Sequence, residues 1–140
     1  MKIGSLKMNK YILDACALIV FLNDEEGSDL VEELLKTKST IIHIINLYEV
    51  YYDYKRSHSD ELKCKHFFFF LTKLPFRVES RIDYCLIETA AFFKVNYSIS
   101  FADSFALSLA KNNEAKLVTS DHHEFDSIEK DQVISFKWLR

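Results

Sequence analysis

Tyr11-Ile12-Leu13-Asp14-Ala15-Cys16-Ala17-Leu18-Ile19 is the stretch on which the reading of this chain turns. Tyr11 to Leu13 is a short apolar run that ends at an acid, and Ala17 to Leu22 then continues with apolar helical character until Asn23 to Gly27 breaks it. A strand followed at once by a helix places Asp14 at the strand's carboxyl end. In open parallel sheets that edge is where ligands bind.

The same alternation continues along the chain. Ser28 to Lys36 carries Leu30, Val31, Leu34 and Leu35 at the spacing of an amphipathic helix, and Thr40 to Ile44 is β-rich. Asn46 resembles a helix cap, and the segment after it runs as a helix to Arg56. A further helix spans about 59 to 74 and is closed by Pro75, Arg77 to Ser80 forms a short strand, and Ile82 to about Val95 is helical. Ser100 starts a helix over Phe101 to Lys111, Lys116 to Thr119 is a strand ending at Ser120-Asp121, and Val133 to Trp138 is the last strand. The order β-α-α-β-α-α-β-α-α-β-β predicts an α/β fold: a three-layer α/β/α sandwich with a mainly parallel central sheet.

With 140 residues, a hydrophobic fraction of 49%, two glycines and one proline, the chain suits one domain over 1–140, with residues 1–7 expected as a tail. The net charge of −3 argues against holding nucleic acid by bulk positive charge alone. Local basic patches remain compatible with phosphate binding once acids are neutralised by metal. Cys16, Cys64 and Cys85 are odd in number and lack a C-x-x-C pair, which excludes a zinc site of that type and suits a reducing cytoplasm. No apolar run reaches membrane-spanning length.

Four acids stand at comparable places. Asp14 and Asp121 follow strands, while Glu49 and Asp103 lie one turn into helices that begin near the same edge. Each alone has a simpler explanation: Asn46-x-x-Glu49, Ser100-x-x-Asp103 and Asp121-x-x-Glu124 are spaced like capping boxes, and Asp14 suits a cap. Together they make a different case. Like charges gathered in one crevice raise one another's pKa and need a compensating cation. Mg2+, with Mn2+ as an alternative, is the hard ion that oxygen ligands and substrate phosphate hold, and it supports metal-assisted phosphodiester hydrolysis. A D-x-D phosphatase would need an acid where Cys16 stands. A Gly-rich phosphate loop, a G-x-S-x-G elbow and an H-E-x-x-H pair are all missing.

These segments resemble the motifs of the PIN-domain nucleases, particularly the VapC-like toxins of toxin-antitoxin pairs. Residues 11–19 are similar to the first motif, Asn46-Leu47-Tyr48-Glu49-Val50 to the second, Ser100-Phe101-Ala102-Asp103 with the residues after it to the third, and Val118-Thr119-Ser120-Asp121 to the fourth. The resemblance covers residues 10–140. It implies a divalent-metal endoribonuclease, often a homodimer silenced by a small antitoxin protein, with Asp14, Glu49 and Asp103 as main ligands and Asp121 as a fourth acting through water. The family often has Ser or Thr two residues after its first acid, where this chain has Cys16, a weaker hydrogen-bond partner. Thr119 and Ser120 are the hydroxyls expected beside Asp121. A non-catalytic RNA-binding or adaptor domain is the competing reading.

Other residues draw attention. His122 and His123 are read as loop residues rather than transition-metal ligands, and Asp126 as a turn or cap. Lys55 and Arg56 lead the densest basic set and are candidates for RNA phosphate. Phe67 to Phe70, read as core by default, add with Tyr48, Tyr51, Tyr52 and Tyr54 to an aromatic load that suits a dimer or antitoxin interface.

Overall fold

The structure, a computed structural model, describes residues 9–37 and 39–140. The tail expected over residues 1–7 lies outside the described residues. The elements are β1 (Tyr11–Leu13), α1 (Ala15–Leu22), α2 (Ser28–Lys36), β2 (Thr40–His43), α3 (Ile44–Ser57) and α4 (Glu61–Thr72). Then come β3 (Arg77–Glu79), α5 (Tyr84–Asn96), α6 (Phe101–Asn112), β4 (Lys116–Thr119), α7 (His122–Lys130) and β5 (Ser135–Trp138).

The five strands form one sheet in the order β3-β2-β1-β4-β5, and every pairing is parallel. Register explains how short apolar strands hold two helical layers. Ile12 stands beside Ile41 and Leu117, and Leu13 beside Ile42 and Val118. Alternate side chains leave a strand on opposite faces. The Leu13, Ile42 and Val118 row accordingly packs with α1, α2 and α3 through Leu18, Val31 and Leu47. The Ile12, Ile41 and Leu117 row packs with α5, α6 and α7 through Phe93, Leu107 and Phe125. Both faces are covered, as the three-layer expectation requires.

One element was not expected. The sequence predicts no helix between the strand ending at Thr119 and the one starting at Val133, but α7 occupies His122–Lys130 and buries Phe125 and Ile128 completely. The correction has a topological consequence. Two consecutive strands would pair most simply as an antiparallel hairpin, whereas a crossover helix lets β5 run parallel to β4. The sheet is therefore parallel throughout.

A second correction concerns α3. Asn46 is not its cap: β2 runs directly into the helix, and the His43 ring Nδ1 accepts from the Ile45 N–H at 3.1 Å. Because Nδ1 accepts, the proton sits on Nε2, which donates to the Arg81 carbonyl at 3.0 Å. Glu49 thus stands in the second turn of α3.

Gly27 precedes α2 with φ of 100°, and a Cβ built there would lie 2.7 Å from Leu139 Cβ and 2.8 Å from its carbonyl oxygen. Both strain and collision oppose a side chain. Gly27→Ala is expected to cost about 1–3 kcal/mol, measured as a lower urea midpoint at unchanged slope; an unshifted midpoint would show that the C-terminal segment yields freely.

Among the described residues, no helix is long and apolar enough to cross a membrane. The three cysteines are free.

Candidate active site

The strand order reverses direction at β1 and β4: β2 and β3 lie to one side of this pair and β5 to the other. The crevice beyond the carboxyl ends of such a pair is the switch point of an open parallel sheet. Asp14 directly follows β1, and Ser120-Asp121 directly follow β4. The two strands hydrogen-bond each other, so both acids reach one edge.

Asp14 is only 2% exposed. Its Oδ1 accepts from the Ala17 N–H at 2.7 Å, which makes it the cap of α1, and it also bonds the Thr119 hydroxyl. Burial nevertheless dominates and pushes its carboxyl up to about 7, with the charges of Asp103 and Asp121 adding to the rise. Asp103 sits in the first turn of α6, hydrogen-bonded to the Ser100 side chain and backbone. Ser100 Oγ in turn accepts the Asp103 N–H at 3.0 Å, completing the reciprocal capping box that the spacing suggested. Burial again leads in raising Asp103 to about 6, helped by the charges of Glu49 and Glu124. Glu49 is also raised by burial, against the lowering effect of its bond from Asn46.

Thr119 ties the two strand ends together. Fully buried, it bonds the Asp14 carboxylate, and its Oγ1 accepts the Asp121 N–H at 3.0 Å. Asp121 Oδ1 then caps α7 by accepting the Glu124 N–H at 3.1 Å. Ser120 Oγ lies 2.9 Å from Cys16 Sγ, so the thiol at the place where a hydroxyl was expected keeps a polar partner. Burial and the neighbouring Asp14 push that thiol's pKa up, and it stays protonated at neutral pH.

Two residues that sequence reasoning did not assign to the site join it. Glu124, seen only as the far end of a capping box, adds a fifth acid whose charge acts on Asp103. Asn46, read as a cap, is fully buried and donates from Nδ2 to Glu49 Oε1 at 3.2 Å and to the Ala102 carbonyl at 3.1 Å. An Asn three residues before Glu49 was the available signal for the second. For Glu124 the signal was its spacing from Asp121, which sets it in the first turn of a helix that starts at the strand edge.

The remaining candidates fall elsewhere. His122 and His123 open α7 rather than a loop. His122 is committed: it stacks on Trp138 at 3.8 Å, pairs with Asp126 at 2.8 Å and bonds the Arg140 carbonyl at 2.8 Å. Lys55 and Arg56 lie in the last turn of α3 and pair with Glu61 at 3.3 Å and Asp53 at 2.7 Å. Of the four consecutive phenylalanines, Phe67 packs on the core, whereas Phe68, Phe69 and Phe70 are exposed, which corrects the core reading for those three.

Among the described residues, no Lys or Arg forms an ion pair with Asp14, Glu49, Asp103 or Asp121. Mutually repelling oxygen donors without a counter-cation fit a hard divalent ion in kind. They are not drawn into a ready cage: among the described residues, no three or more His, Cys, Asp or Glu stand close enough together to hold a metal.

No curated protein matches the chain in sequence. Solved structures do match in fold. The DNA-bound VapBC complex of Salmonella typhimurium superposes with a TM-score of 0.73 at 19% identity, covering 95% of this chain and 100% of that one. FitAcB of Neisseria gonorrhoeae gives 0.69 at 15% identity, covering 92% and 97%. A toxin-antitoxin complex of Klebsiella pneumoniae gives 0.67 at 15% identity, covering 94% and 98%. The PIN domain family model matches residues 11–131, a span that takes in β1, the four acids and α7. Because that match spans well over half of the chain, the chain belongs to the PIN domain family.

Proposed function

We propose that this chain is a magnesium-dependent endoribonuclease and the toxin of a toxin-antitoxin pair. PIN domains are nucleases as a family, which supports hydrolysis of phosphodiester bonds. The observation that carries the reading is Asp14: a carboxyl shut away from water, facing the charges of Asp103 and Asp121, with no Lys or Arg paired to it among the described residues. A bound cation would offset both the burial and the repulsion and hold such a group fully ionised at neutral pH.

Asp14, Glu49 and Asp103 would hold Mg2+, or Mn2+ in its place, and Asp121 would reach it through water. When bound, the ion supplies Lewis-acid polarisation of the phosphodiester and lowers the pKa of water. The protein's own part is positional. Helix α1 fixes Asp14 through its cap, α6 fixes Asp103 through Ser100, and the buried Thr119 holds the ends of β1 and β4 in register. Lys55 and Arg56 are proposed to meet RNA phosphate, since exposed ion pairs like theirs contribute little and release easily.

Partner binding belongs to the same proposal. The similar solved structures include VapBC and other toxin-antitoxin complexes, and Phe68, Phe69 and Phe70 expose apolar surface on α4. A small antitoxin protein and a second copy of the chain are the partners proposed for this kind of surface.

The test is cleavage of single-stranded RNA by purified protein with Mg2+ and with EDTA, alongside Asp103→Asn. Cleavage restricted to Mg2+ and reduced by at least about 100-fold in the variant is expected. Metal-independent cleavage that survives the substitution would overturn the reading, and RNA binding without turnover would favour the adaptor.

A further inference from the structure

Asn46 lies in the interior between α3 and α6, and the chemistry proposed above gives it no task. Its surroundings are specific. One nitrogen, Nδ2, serves two acceptors on different helices: Glu49 Oε1 at 3.2 Å and the Ala102 carbonyl, next in sequence to Asp103, at 3.1 Å. The Asn46 side chain is fully buried, and its Oδ1 has no hydrogen-bond partner.

That orphan oxygen is informative. An interior position needed only for packing is better filled by an apolar side chain such as Leu, which has the same branched shape and no unpaired carbonyl. Turning the amide over would set Oδ1 against two acceptors, so the observed orientation is fixed by its neighbours. What the position uses is therefore the pair of N–H groups on one atom. Ser offers one donor, an ionised Asp offers none, and Leu offers none.

We propose that Asn46 is a positioning residue that ties the Glu49 carboxylate to the first turn of the Asp103 helix and thereby sets the affinity of the site for divalent metal. The inference rests on the metal-site reading above. With the tie cut, Glu49 regains rotamer freedom, and the two acids no longer present their oxygens to the ion at a set separation. Partners that orient ligating carboxylates commonly change metal affinity by about 10–100-fold when removed.

The test uses the full chain and Mg2+ alone as the probe. Asn46→Leu and Asn46→Ser are compared with wild type by the Mg2+ concentration that gives half the thermal shift without RNA, and by the Mg2+ dependence of cleavage. A rise of about 10-fold or more in both midpoints is expected, larger than the change in kcat at saturating Mg2+. Should Asn46→Leu fail to fold, Asn46→Ser, smaller and still polar, carries the comparison. A structural role is separated by repeating Asn46→Ser in Glu49→Gln, where a residue acting through Glu49 loses most of its effect. Unchanged midpoints in a folded variant, or an equal loss in the Glu49→Gln background, would overturn the inference alone. A wild type whose stability ignores Mg2+ would overturn the metal reading as well.

Discussion

Asp14→Asn is expected to reduce magnesium-dependent RNA cleavage by at least about 1,000-fold, roughly 4 kcal/mol of transition-state stabilisation, while making the metal-free protein more stable. The two effects share one cause. In the fold Asp14 is dehydrated and faces the charges of Asp103 and Asp121, so its ionised form is the expensive one. An amide removes that cost and keeps the local structure, because its oxygen still accepts the Ala17 N–H that caps α1 and the Thr119 hydroxyl can rotate to suit it. Melting in EDTA at pH 8 should therefore rise by about 5–10 °C, given roughly 3 °C per kcal/mol for a chain of this size. The proposed metal ligand loses its charge in the same step, so cleavage is expected to disappear although the fold tightens. A melting point that falls together with activity would mean that Asp14 acts as structure, and cleavage that survives would remove it from the site.

That pairing of effects bears on what could be read from the residues alone. Asp14 and Asp121 each cap a helix, and Asp103 stands in the first turn of the helix that Ser100 caps, while the charges of Asp103 and Asp121 both bear on Asp14, so a structural role and a chemical one are not exclusive. A cap fixes a carboxylate at a helix start, and in a parallel sheet helix starts collect at the ligand-binding edge. This is why the fold and the positions of these acids were legible: both follow from where short apolar runs end. Helix α7 was not legible, since two apolar residues, Phe125 and Ile128, are its whole inward face among polar neighbours. Asn46 misled for a related reason. Caps are usually Ser, Thr, Asp or Asn, and here a buried histidine does the capping because β2 meets α3 with no residue between them. Phe67 to Phe70 misled through periodicity, as four successive helical positions point in all directions and only Phe67 turns inward.

Stability without metal should fall as pH rises from about 4 to above 7, opposite to the behaviour of a protein held together by ion-paired carboxylates. The unfolded chain releases the Asp14 proton near its ordinary value of 3.8, whereas the folded chain keeps it until about 7. Between those values the folded state binds the additional proton, so each step upward in pH favours unfolding. The stabilising contribution is complete below the unfolded value and gone once pH has passed the folded one. A rise of about three in pKa corresponds to on the order of 4 kcal/mol. Asp103, raised to about 6, acts in the same direction, but the two share one repulsion and do not add in full. The raised His122 contributes with the same sign and little weight, being exposed. Urea unfolding in EDTA at pH 5 and pH 8 should differ by several kcal/mol in favour of pH 5, and Asp14→Asn should flatten most of that difference. Saturating Mg2+ should restore stability selectively at pH 8, by about 2.7 kcal/mol at a hundred times its dissociation constant, because only the ionised site binds it. Stability that is level or rising between pH 5 and pH 8 would mean that the carboxylates are hydrated, and the case for a metal drawn from their burial would fall with it.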